Sequence, residues 1–275
     1  MSLMYSGLRQ LLSVAVDLYF VDIQSVGRTN VPSEGPLIFA ANHPNSIMDT
    51  FILGTKTNRK ISYMAKSGLF TNPLVAMIFN ECGVIPVNKS GGKGANDDAF
   101  SRAYDVLDEG GTIGIFPEGR NSMERELYEF KTGTARIALG AEARRDYKLG
   151  VKIVPVGLNF QNRDRFLSSV LVRFGEPIEV ADWAAQNRED PREAARSLTD
   201  EIEARIRELA THIEGERVRD LVRDVHSVYG RTLLETITSE REEEKRSAAF
   251  LFDDLIGGDF DEGPLMADLF EEDNK

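Results

Sequence analysis

Between residues 22 and 180 the chain alternates short apolar runs with segments of helical period, and this alternation limits the folds open to it. The runs near 22–27, 36–41, 61–65, 84–87, 112–116, 152–157 and 170–174 are too short for ordinary helices and read as strands. Apolar residues recur at helical spacing at about 46–55, 70–80, 96–109 and 132–145. Such alternation predicts an α/β fold, a mostly parallel sheet flanked by helices. In open sheets of this kind ligand sites form just beyond the C-terminal ends of strands. The residues that leave each apolar run are therefore where chemistry is sought.

Two of those exits carry unusual polar strings. The run Pro36–Ala41 is followed by Asn42-His43-Pro44-Asn45-Ser46-Ile47-Met48-Asp49, and Thr112–Ile115 by Phe116-Pro117-Glu118-Gly119-Arg120. An imidazole such as that of His43 can take a proton near neutral pH if a carboxylate holds the ring in the right tautomer, and Asp49 is the nearest candidate. On one continuous helix the two side chains would stand about 120° apart, so they meet only if His43 lies in the preceding turn. Pro44 favours that geometry, because it disfavours helix in the residue before it, and the helix then starts near Asn45 or Ser46. The same residues also read as a helix cap: Ser46 through Asp49 is a capping box with Asp in place of Glu. In the second string a proline turn, a glycine and an arginine fork suit a phosphate, although taken alone it is a common kind of strand-to-helix turn.

Together the strings resemble the glycerophospholipid acyltransferase family, also described as PlsC-like or lysophosphatidic acid acyltransferases. Four motifs occur in the family's order over about residues 20 to 180: Asn42–Asp49, Gly83-Val84-Ile85-Pro86-Val87-Asn88-Lys89, Phe116–Arg120 and Ile153-Val154-Pro155-Val156-Gly157. Lys66-Ser67-Gly68-Leu69-Phe70, Phe130-Lys131-Thr132-Gly133 and Phe174-Gly175-Glu176-Pro177-Ile178 are supporting strings. The resemblance implies transfer of a fatty acyl group from a thioester to a hydroxyl of a glycerol-phosphate lipid precursor, first 1-acyl-sn-glycerol 3-phosphate and next glycerol 3-phosphate or dihydroxyacetone phosphate, with no metal, cofactor or covalent enzyme intermediate. The thioester, acyl-CoA or acyl carrier protein, is a co-substrate. His43 would be the general base and Asp49 its orienter; Glu118, Gly119, Arg120 and Lys89 would hold the acceptor phosphate, and the fourth motif would shape the acyl or donor site. Two departures stand out. Five residues separate His43 from Asp49 where most members have four, a spacing associated with a subgroup that carries asparagine where Asn45 stands. The second motif ends in Lys89 instead of arginine, so phosphate binding would be looser or shared with Lys66. These departures keep open a reading of another class, a lipid-binding or scaffold protein that retains the fold without turnover.

Charge is distributed unevenly. Residues 1–180 carry 20 basic and 19 acidic side chains, whereas 181–275 carry 13 and 26, so the net charge of −12 belongs to the C-terminal part. No broad basic face marks a nucleic-acid binder. Lys56, Arg59, Lys60 and Lys66 form a local cluster that reads equally as a solvated loop or as a surface for phosphates. Cys82 is the only cysteine, which excludes an intramolecular disulfide and fits a reducing compartment; beside Gly83 it reads as a small packed residue. Ser90-Gly91-Gly92-Lys93-Gly94 fails the Walker pattern, and no Gly-x-Ser-x-Gly elbow is present.

A lipid substrate calls for contact with a membrane, yet no run of 18 to 20 apolar residues exists. Residues 1–21 read instead as an amphipathic helix with Leu8, Leu11, Leu12, Ala15 and Leu18 or Tyr19 on one stripe, expected to pack on the sheet or to lie in a membrane interface. The expected organisation is that helix, a catalytic domain over 22–180, a helical extension over 181–238 and an acidic, disordered tail over 239–275 whose Phe250-Leu251-Phe252 and Leu265–Phe270 clusters could dock a protein partner. Leu198, Ile202, Ile206, Leu209 and Ile213 form one helical stripe of the extension and Val218, Leu221, Val222, Val225 and Val228 another. The expected location is cytoplasmic, peripheral to the membrane.

Overall fold

The computed structural model describes residues 3–88, 97–119, 127–161, 163 and 165–211. Strand β2 (Leu37–Ala41) shows how its residues set the layers. Successive strand side chains point to opposite faces. Leu37, Phe39 and Ala41 enter one core with Val154, Val156 and Leu158, while Ile38 and Ala40 enter another with Ile113 and Ile153. Burial on both faces is why the run reads as continuously apolar.

The remaining strands are β1 (Asp22–Val26), β3 (Ile61–Lys66), β4 (Ile85–Val87), β5 (Thr112–Ile115), β6 (Lys152–Phe160), β7 (Ser169–Phe174) and β8 (Ile178–Glu179). The helices are α1 (Leu3–Tyr19), α2 (Ile47–Lys56), α3 (Pro73–Cys82), α4 (Asp97–Asp108), α5 (Gly133–Arg144), α6 (Ala184–Glu189) and α7 (Pro191–Leu209). The sheet order is β1-β7-β6-β2-β5-β3-β4, with β8 on β6. All pairings are parallel except those of β6 with β7 and β8. β6 outruns its expected end by three residues because its second half, Val156–Phe160, pairs with β7 after its start has paired with β8.

Helices α1 and α2 cover one face, with α3 beside α1; α4, α5 and α7 cover the other. Asp190 opens α7 by accepting from the Arg192 and Glu193 amides, with Pro191 at the first helical position. Leu198, Ile202 and Ile206 then bury into the same core as Ile38 and Ile113. The first helix of the expected extension is thus part of the sheet's own domain. The second stripe, His212, His226, the 90–94 segment and the acidic tail lie outside the described residues.

The expected stripe of α1 is corrected. Tyr5, Val16 and the following Phe20 are the buried residues, whereas Leu11 and Leu18 are 66% and 68% exposed. Arg9 decides the rotation: its guanidinium donates to the Gly54, Thr55 and Thr57 carbonyls at the end of α2, groups that α2 itself leaves unpaired. Asp17 and Lys56 add an ion pair at 2.6 Å. Helix α1 therefore has two apolar sides, one packed and one facing out. Among the described residues, the exposed large hydrophobic side chains all belong to α1 through α3, their adjoining turns and the β6–β7 loop. The α4–α7 layer shows none, and α7 alone carries nine charged side chains. Among the described residues no helix is long and apolar enough to cross a membrane.

Candidate active site

Strands β2 and β5 are parallel neighbours, with Leu37 beside Thr112 and Ala40 beside Ile115. Their polar exits therefore leave the sheet side by side at its C-terminal edge. Asn42 fixes the first exit. Its buried amide donates to the Leu158 carbonyl (3.0 Å) and accepts from the Leu158 amide (2.7 Å), which extends the β2–β6 ladder past Ala41.

His43 follows in the turn, outside the helix, as its spacing from Asp49 requires. Its Nδ1 lies 2.8 Å from Asp49 Oδ2, and Asp49 is wholly buried in the first turn of α2. The same carboxylate oxygen accepts from the Asn45 amide at 2.8 Å. The capping-box alternative is not what forms: the Ser46 hydroxyl caps nothing, and Asp49 faces the histidine. Between them the chain turns at Ser46 with φ 52°. Burial pushes the Asp49 carboxyl up to about 6, opposed by the hydrogen bond and charge of His43 and by the Asn45 amide, while the Glu118 charge pushes it further up. Its Oδ1 has no partner among the described residues. The Asn45 side chain donates to the Arg163 carbonyl, tying this turn to the β6–β7 loop.

Phe116, at the second exit, stacks on the His43 ring with centroids 4.0 Å apart and planes 14° from parallel. Tyr63 of β3 lies beyond it, its ring almost parallel to that of Phe116 with centroids 6.4 Å apart, and its hydroxyl donates to the Thr50 carbonyl. Gly114 makes room for this row, since a Cβ there would come within 2.5 Å of the Tyr63 ring. Sequence reasoning missed Asn42, Tyr63 and Phe116 as supports. The only signal for the ring row was a glycine inside an apolar strand, a mark of close approach.

Glu118 is held by backbone donors. It is 1% exposed; one carboxylate oxygen accepts from the His43 amide at 2.9 Å and the other from the Tyr128 amide at 3.1 Å. The buried carboxylate thus anchors the backbone of the histidine. Gly119 adopts φ 67° and spends its own amide on the Phe116 carbonyl. Lys66 ends β3, exposed at the same sheet edge one strand beyond β5. Lys89 and Arg120 lie outside the described residues.

The fourth motif lies in the core. Ile153, Val154 and Val156 are core residues, and a Cβ on Gly157 would stand 2.3 Å from the Leu209 carbonyl. That motif seats the end of α7, where Asn159 donates to Leu209 O and accepts from the Thr211 amide. Cys82 is half-buried and its thiol is pushed up by burial, so it is no ready nucleophile.

The chain thus has an open α/β sheet with a histidine and a buried carboxylate paired at its C-terminal edge. Residues 22–159, half of the chain, match the Acyltransferase family, and the chain belongs to that family. Among curated relatives, it is 36% identical over 108 residues to the glycerol-3-phosphate O-acyltransferase 2 of Saccharomyces cerevisiae, covering 39% of this chain and 14% of that protein. It is 28% identical over 173 residues to the 1-acyl-sn-glycerol-3-phosphate acyltransferase of Borreliella burgdorferi, covering 63% of this chain and 65% of that one. The chloroplastic 1-acyl-sn-glycerol-3-phosphate acyltransferase LPAT1 of Arabidopsis thaliana is 28% identical over 149 residues, 54% of this chain and 39% of that protein. The matches thus span less than two thirds of the length of these relatives. The crystal structure of the 1-acyl-sn-glycerophosphate acyltransferase PlsC of Thermotoga maritima has the same fold, with a TM-score of 0.53 and 22% identity over 73% of this chain and 80% of that one.

Proposed function

We propose that the protein transfers a fatty acyl group from a thioester to a free hydroxyl of a glycerol-phosphate lipid precursor, with 1-acyl-sn-glycerol 3-phosphate as acceptor and phosphatidic acid as product. The observation that carries this reading is the 2.8 Å contact between His43 Nδ1 and a wholly buried Asp49. With Nδ1–H donating to Asp49, Nε2 presents its lone pair, and it has no partner among the described residues. Nε2 takes the proton of the acceptor hydroxyl as that oxygen attacks the thioester carbonyl. The tetrahedral adduct collapses, the C–S bond breaks, and the departing thiolate recovers the proton from the imidazolium. Asp49 holds the ring throughout, and Glu118 holds the His43 backbone, a positioning role. Arg120, Lys89 and Lys66 are assigned to the acceptor phosphate from their places in the motifs, with Gly119, whose amide is taken by Phe116 O, allowing close approach. Glycerol 3-phosphate is the second acceptor, favoured by the yeast relative at 36% identity; acyl-CoA and acyl carrier protein are the donors to compare.

The apolar outer side of α1 through α3 supports peripheral binding to a bilayer on the cytoplasmic side, where such an acceptor resides. The test is to incubate wild-type protein and His43→Ala with detergent-dispersed lysophosphatidic acid, and separately with glycerol 3-phosphate. Acyl-CoAs of mixed length, then acyl carrier protein thioesters, are supplied, and products are read by mass spectrometry. Product from one acceptor that vanishes in folded His43→Ala is expected; substantial turnover by that variant removes His43 as the base. Flotation with phosphatidylcholine–phosphatidylglycerol vesicles tests the membrane part, which fails if all protein stays in the aqueous fraction.

A further inference from the structure

We propose that Lys131 supplies the positive charge that holds the acceptor's phosphate over the Gly119 turn. The inference rests on the proposed function, in which a phosphate monoester sits at the β5 exit, and it names a residue that the motif assignment left without a role.

The turn by itself offers an anion little. The Glu118 carboxylate is committed to two backbone amides and carries a negative charge, and the Gly119 amide is committed to Phe116 O. What lies against the turn is Lys131. Its own amide donates to the Pro117 carbonyl at 3.0 Å, which fixes its Cα beside the turn. Its side chain then crosses Gly119: a Cβ built there would meet Nζ at 2.8 Å and Cδ and Cε at 3.2 Å. Glycine at 119 suits the positive φ, and the Lys131 side chain lies directly against it. Lys131 is exposed, and among the described residues no carboxylate pairs with its ammonium. A compact, exposed and unpaired ammonium beside this turn is a charge that a phosphate dianion can take up. The turn follows Phe116, whose ring stacks on His43, so the Lys131 ammonium stands at the same strand exit as the proposed base.

The experiment compares wild type, Lys131→Met and Lys131→Arg, with thermal unfolding as the check on folding. Binding of glycerol 3-phosphate and of detergent-dispersed lysophosphatidic acid is measured by titration calorimetry without donor, and turnover is measured with these acceptors and with monoacylglycerol, which lacks the phosphate. Lys131→Met is expected to weaken binding of the phosphate-bearing acceptor about tenfold to a hundredfold, the range for a charged hydrogen bond. The acceptor KM rises accordingly, the thioester KM and kcat stay near wild type, monoacylglycerol is unaffected, and Lys131→Arg recovers most of the loss. The glycerol 3-phosphate and lysophosphatidic acid arms separate a free phosphate ester from a lipid headgroup. Equal binding by wild type and Lys131→Met overturns the proposal, as does an equal loss toward monoacylglycerol, or a wild type that binds neither phosphate ester. A wild type that binds a phosphate ester through Lys131 yet transfers no acyl group overturns the enzymatic reading and leaves this one standing.

Discussion

The two strand exits that meet at the site differ in kind. The β2 exit presents a group that can react: His43 stands in the turn with one ring nitrogen pinned by Asp49. The β5 exit supplies what holds that group still, the Phe116 ring against the imidazole and the Glu118 carboxylate on the His43 amide. A proton transfer needs its base placed to within a fraction of an ångström. One exit therefore presents the His43–Asp49 pair, the base in the proposed reaction, and its neighbour the groups that hold it, and the parallel pairing of β2 with β5 is what joins them.

This division can be broken at several points. Asp49→Asn should have the largest effect, lowering kcat by about a thousandfold or more through loss of the orienting charge and the tautomer it selects; turnover within tenfold of wild type would mean that Asp49 does not orient the base. Glu118→Gln should come next. An amide has only one acceptor oxygen for the two backbone donors, so one buried N–H loses its partner at a cost of about 1–3 kcal/mol. We expect a kcat reduced about tenfold to a hundredfold, a lower unfolding temperature and an unchanged acceptor KM. A raised acceptor KM with unchanged stability would return Glu118 to the phosphate.

The smallest effect is in the pH dependence of stability. Asp49 titrates at about 6 in the fold against an ordinary 3.8, so the folded state holds its proton more tightly than the unfolded chain does. Its stabilising share is present below about pH 4 and is lost as pH rises through 6. Denaturant midpoints for wild type should therefore fall relative to those of Asp49→Asn across that window. Parallel curves would show that burial does not raise this carboxyl.

Much of this arrangement is legible in the order of the residues. The strands and the helices between them up to residue 145 fall within a few residues of their periodic runs, because a strand buried on both faces can only be written as a continuous apolar run. The His43–Asp49 pair is legible because Pro44 excludes one continuous helix and the turn leaves a single way for the two side chains to meet. Helix α1 misleads because its packed side includes Arg9, a cation serving another helix's carbonyls, which apolar periodicity counts as a solvent residue. Glu118 misleads for a related reason. A carboxylate next to glycine and arginine reads as part of a ligand site, and nothing local reveals that two backbone amides, 75 and 10 residues away, consume it.

The sequence alone thus determined the strands and helices up to residue 145 and the pair of groups at the β2 exit, since these depend on interactions within one element or one turn. Strand order, the meeting of the β2 and β5 exits, the burial of Glu118, the docking of α7 on Gly157 and the crossing of Lys131 over Gly119 were decided only in the tertiary structure. Each is a contact between segments far apart in the chain or folded back across a turn. Its free energy depends on geometry that exists only once the sheet has assembled.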